Sequence, residues 1–220
     1  MTRPILSLLE TRVLGVLVEK QHTVPDTYPL TLNALTAGCN QKSARDPILS
    51  ATDAEVQAAI DELKHRSLVI ESSGSRVMRY AHNVGRVLDI PSQSVAILSV
   101  LMLRGPQTVG ELRINSERLH SFADISSLEA FLAELTQHAQ GPLVVELPRQ
   151  PGARERRWAH LLCGMPDTAP QQPPAAQATD PVSLGDIAAL RSNVAQLRQE
   201  LDQVKALVAK LCKELGLPPT

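Results

Sequence analysis

Residues 61–82 read DELKHRSLVIESSGSRVMRYAH, and residues 133–160 read AELTQHAQGPLVVELPRQPGARERRWAH. Each begins in an amphipathic pattern, passes through a short β-rich run (LVIE 68–71, LVVE 143–146) and closes on a second one (RYAH 79–82, RWAH 157–160). Two such runs joined by Ser/Gly or Pro/Gly residues predict a β-hairpin. Working towards the N-terminus, VLGVL at 13–17 is matched by ILSVL at 97–101. The matches keep one order while their offset drifts between 72 and 84 residues, as happens when only loops change length. The chain therefore holds a duplicated unit of about 75–85 residues.

Both units follow one pattern. A first helix carries apolar residues at helical spacing: Leu9, Val13, Leu14 and Leu17, then Val95, Leu98, Leu101 and Met102. A short second helix is predicted near 30–37 and near 109–114. The third begins at an N-cap: Thr52 with Glu55 three residues on, a capping box, and Ser126 with Glu129 in the copy. These predict helices over 53–66 and 127–139. The hairpins follow, 69–71 with 77–81 and 143–147 with 157–161. Three helices and a hairpin make a winged helix-turn-helix. The expected class is mainly α with small β-hairpins (α+β): tandem winged helices over 1–90 and 91–165.

Residues 166–183, PDTAPQQPPAAQATDPVS, have no apolar period and read as a semi-extended linker. Beyond it, 184–216 predict a coiled-coil helix. Ile187, Leu190, Val194, Leu197, Leu201, Val204, Val208, Leu211 and Leu215 recur at alternating steps of three and four, the a and d positions of four heptads. Two readings stay open: a parallel homodimer, in which Glu200 meets Lys205, or a helix folded back on its own domain.

The stretch LETRVLGVLVEKQHTVPDTYPLTLNALTAGCNQKSARDPIL, with the later RYAH, resembles the YceH family of bacterial proteins of unknown function. The resemblance spans about residues 5–163, and the CNQKSARDP run is its most specific part. It implies a tandem winged-helix fold and no particular activity.

Composition narrows the rest. The 220 residues carry 22 Lys+Arg and 23 Asp+Glu, which excludes a strongly basic DNA coat. Aromatics are 2%, too few for a base-stacking platform. Glu10, Arg12, Glu19 and Lys20 interrupt the apolar N-terminus, so no signal peptide is expected. No run approaches the ~20 apolar residues of a membrane span. Cys39, Cys163 and Cys212 form no paired motif, and a reducing, cytoplasmic setting is expected. The six histidines lack zinc-type spacing, and no phosphate loop or nucleophile elbow occurs. No catalytic residue, metal or cofactor is expected, and the protein is read as not an enzyme.

Two partner classes remain, double-stranded DNA and a protein. For DNA, the turn before the third helix offers Asn40, Gln41, Lys42, Ser43 and Arg45, side chains suited to phosphates and base edges. The same run can instead be an internal salt-bridge network. Arg76 and Arg79 frame the first hairpin. Arg149, Arg154, Arg156 and Arg157 against Glu155 give the second hairpin a local charge of +3. Against DNA, the third helices are acidic, with Asp53, Glu55, Asp61 and Glu62 in one and Glu129 and Glu134 in the other. A DNA-binding, transcription-related role is the first expectation, and the acidic helices fit the alternative, a scaffold with tandem winged helices similar in architecture to segregation and condensation protein B.

Overall fold

The computed structural model describes residues 5–72, 77–150 and 152–166. They form a mixed α/β structure in which helices dominate and two small antiparallel strand pairs are added. In order the elements are α1 (Leu8–Thr23), α2 (Leu32–Cys39), α3 (Asp53–His65), β1 (Val69–Ser72), β2 (Arg79–His82), α4 (Val84–Val87), α5 (Ser92–Arg104), α6 (Val109–Ser116), α7 (Ile125–Thr136), β3 (Val144–Glu146) and β4 (Trp158–His160). The linker beyond Pro166 and the heptad residues 187–215 lie outside the described residues.

Local chemistry explains where the helices start. The first four N–H groups of a helix lack internal acceptors, and a side-chain oxygen at the N-cap supplies one. Ser7 with Glu10, Thr52 with Glu55 and Thr108 with Glu111 each form a full capping box. The cap expected at Ser126 is not the one used. Asp124 caps α7 instead, its Oδ1 accepting from the Ser127 N–H at 2.7 Å, and the helix ends at Thr136 rather than at 139. A carboxylate two residues earlier is at least as good a cap acceptor as a serine hydroxyl, so the helix starts there.

The two halves of the chain make the same hydrogen bonds. Val69 pairs with His82 and Glu71 with Tyr80; Val144 pairs with His160 and Glu146 with Trp158. Leu68 N–H donates to the Leu63 carbonyl, and Leu143 N–H to that of Leu135. A third backbone segment joins each hairpin, through Leu30 to Tyr80 and Gln107 to Trp158. The register is therefore identical in both halves, although their hairpin loops differ in length.

The middles of α1 and α5 are buried all round: every residue from Glu10 to Val18 and from Ser94 to Leu103 is buried. The apolar spacing predicts one buried stripe on each. The difference arises because α1 packs on α2 and α3 on one side and on α5 on the other, so a single core runs through both halves. Gly15 permits the close approach, since a Cβ there would lie 2.9 Å from Leu103 Cγ. At the edge of this unit Leu6 N–H donates to the Leu162 carbonyl at 2.8 Å, which brings the two ends of the described chain together.

Candidate nucleic-acid interface

The polar turn after α2 is built into the protein. Asn40 Nδ2 donates to the Ala51 carbonyl at 2.7 Å, and Ala51 N–H donates back to Asn40 Oδ1 at 2.8 Å. This two-bond clamp closes the loop ahead of α3. Gln41 Nε2 donates to the carbonyl and hydroxyl of Ser43, and its Oε1 accepts from Arg45. Arg45 has a fully inaccessible side chain. It donates to both Glu19 oxygens, at 3.1 and 2.6 Å, and to the carbonyls of Gly38 and Ala44. Burial pushes the Glu19 carboxyl up, but the Arg45 hydrogen bonds and charge outweigh it and hold the group below its usual value.

Of the side chains expected at base edges, Asn40 and Arg45 have their donors engaged within the protein, whereas the Gln41–Ser43 bonds lie at the surface. Lys42 and Ser43 are exposed, and Lys42 makes no ion pair among the described residues. Sequence reasoning also missed the most deeply placed charge. Arg12 is 0% exposed, donates to the Cys39 and Pro47 carbonyls at 3.2 and 2.6 Å, and leaves Nε without a hydrogen-bond partner. Burial, then the neighbouring Arg45 charge, lowers its pKa. Cys39 beside it is an inert buried thiol, pushed up by burial to about 12. A charge one turn from apolar Leu8 and Leu9 and next to Val13 was the available signal.

The hairpins divide differently. Arg79 donates to the Thr27 and Pro29 carbonyls at 3.1 and 2.7 Å, tying the first hairpin to the α1–α2 connection. Arg76 lies outside the described residues. In the second hairpin Arg156 pairs with Glu146 at 2.8 Å, and Arg157 reaches Glu111 at 3.4 Å and the Pro106 carbonyl at 3.0 Å. Arg149 and Arg154 are exposed and make no hydrogen bond or ion pair among the described residues. The paired arginines are themselves exposed, at 61% and 45%, so their ion pairs hold them weakly against a competing anion.

The third helices turn their carboxylates outwards. Asp53, Glu55, Asp61 and Glu62 on α3 are exposed, as are Glu129 and Glu134 on α7. Lys64 of α3 is paired with Glu71 and Asp61. Ile114 on α6 is 75% exposed and Ile125 at the start of α7 is 48% exposed. Among the described residues no group of His, Cys, Asp or Glu is arranged to hold a metal ion, and no helix is long and apolar enough to cross a membrane.

A family model described as a protein of unknown function, DUF480, matches residues 6–153. Among curated proteins, a UPF0502 protein of Burkholderia lata is 58% identical over 212 residues, 96% of this chain and 90% of that protein. One from Burkholderia vietnamiensis is 59% identical over 215 residues with the same coverage. A third, from Burkholderia ambifaria, is 58% identical over 213 residues.

Proposed function

This chain belongs to the DUF480 family of proteins of unknown function, and we propose that it is a non-enzymatic, double-stranded-DNA-binding protein. In this reading each half is a winged helix-turn-helix, and residues 187–215 join two copies as a parallel coiled coil. The observation that carries it is the second hairpin loop, where Arg149 and Arg154 stand exposed without partners among the described residues while every other described arginine in the two hairpins is engaged. Unpaired guanidinium groups on a projecting loop suit phosphate oxygens, and releasing the counterions of the duplex supplies the driving force. The test is a salt titration of the full chain with duplex DNA by fluorescence anisotropy. Binding should weaken steeply with salt, and an Arg149→Ala/Arg154→Ala variant should flatten the slope by about 2 units. An unchanged slope removes the loop from the interface.

A second reading has its own support. The exposed Ile114 and Ile125, with acidic Glu129 and Glu134 on the same helix pair, suit a protein partner that is apolar and basic, as in a scaffold. Loss of that partner on Ile114→Asp, with DNA binding intact, would assign this face to it.

A further inference from the structure

Resting on the DNA reading above, we infer that Arg118 is a second phosphate anchor, standing at the far end of α6 from the hairpin arginines, so that the duplex backbone is held across that helix. Arg118 lies in the turn between α6 and α7, is exposed, and makes no hydrogen bond or ion pair among the described residues. The carboxylate next to it in sequence, Glu117, accepts from the Ser121 hydroxyl at 2.8 Å. A guanidinium left to solvent in this way keeps its whole fork of donors for a phosphate.

Helical spacing sets its place. Glu117, the C-cap of α6, keeps helical dihedrals, so the helical count runs on to Arg118. Positions three and seven after Glu111 share its face, and these are Ile114 and Arg118. Ile114 is 75% exposed, which marks this face as the one turned to solvent, away from buried Leu112 and Ser116. At the other end of the face Glu111 pairs with Arg157 at 3.4 Å, and Arg157 also donates to the Pro106 carbonyl. These contacts fix the base of the second hairpin beside the first turn of α6, and the loop bearing Arg149 and Arg154 springs from that base. The eight residues of α6 rise ~12 Å, close to the width of a major groove. In the helix-turn-helix reading the helix before the recognition helix crosses the phosphate backbone. Exposed Glu129 and Glu134 on α7 repel phosphates, so the cations at the two ends of α6 carry the contact.

The experiment is a salt titration of the full chain by fluorescence anisotropy on two duplexes of unrelated sequence, with Arg118→Ala, Arg118→Lys, Ile114→Asp and Arg118→Ala/Arg149→Ala/Arg154→Ala variants, all at exposed positions. Arg118→Ala should flatten the slope by about 1 unit and weaken both duplexes to the same extent, and the triple variant should flatten it by about 3. Arg118→Lys should keep the wild-type slope, because a point charge suffices for a phosphate. Ile114→Asp, which sets a carboxylate midway between the two cation sites, should weaken both duplexes. An unchanged slope with Arg118→Ala, while Arg149→Ala/Arg154→Ala flattens it by about 2 units, overturns the inference and leaves the DNA reading standing. Loss confined to one duplex, or loss with lysine equal to that with alanine, makes Arg118 a base reader and overturns the phosphate assignment. Unimpaired binding by Ile114→Asp means that the duplex does not cross this face, which overturns the inference and leaves the face to a protein partner. Failure of the wild-type chain to bind either duplex overturns the DNA reading itself, and the inference with it.

Discussion

Ser99 and Gly15 hold equivalent places in the two halves of the chain, and they touch: the Ser99 hydroxyl donates to the Gly15 carbonyl at 3.1 Å in the buried seam between α5 and α1. Contact between equivalent positions is what an isologous interface produces, here within one chain. The seam is tight because Gly15 has no side chain. Gly15→Val should overpack it against Leu103 and Met102 and destabilise the protein by about 1–3 kcal/mol, read as a lower urea midpoint at unchanged slope. A midpoint equal to wild type would mean that the seam has slack.

Arg45 is a structural anchor in the geometry described. Removing one member of a buried ion pair leaves the other charged and desolvated, at a cost of about 3–5 kcal/mol, here discounted because Glu19 keeps some solvent contact. Arg45→Ala should therefore lower the thermal midpoint by several degrees, while the salt dependence of DNA binding by the folded fraction stays as in wild type. A variant that melts normally but loses affinity would return Arg45 to the interface.

Stability should depend on pH through His82. Burial, then the nearby His22, lowers its pKa to about 4. Its Nε2 lies 2.5 Å from Gln21 Oε1, and its Nδ1 is buried without a hydrogen-bond partner. An unfolded histidine takes up its proton near pH 6.5, so the unfolded chain binds the proton first. Stability is then lost as pH falls from about 6.5 towards 4 and levels off below. Urea melts at pH 7.5 and pH 5 should differ by about 1–2 kcal/mol, and His82→Gln should shrink that difference.

The coiled coil proposed for residues 187–215 predicts a homodimer. Sedimentation of the full chain at micromolar concentration should give twice the mass expected for one copy, and a chain ending at Ser183 should give a monomer. Equal monomeric masses would assign the apolar seam to a fold-back contact.

Much of the helix and hairpin pattern was legible because it is local. LVIE with RYAH and LVVE with RWAH carry their pairing in short alternating runs, and the register that forms is the same in both. Thr52 and Glu55 announce their helix within four residues. What was hidden depends on distant partners. Arg45 looks the same in sequence whether it meets a guanine edge or Glu19, which lies 26 residues upstream. The all-round burial of α1 is invisible to periodicity because half of its cover comes from α5, in the other copy. Asp124 against Ser126 was a choice between two good caps two residues apart, and composition does not separate them.

The hydrogen bond from Leu6 to Leu162 closes the described chain almost into a ring. That bond lies beside two further contacts of the end segments, Thr11 with Cys163 and Arg66 with the Ile5 carbonyl. The connectivity can also be recut: joining residue 5 to residue 166 through a short bridge and opening new termini in the loop between β3 and β4 should yield a circular permutant with the same core. The position of the chain ends would then have no bearing on how the unit holds together.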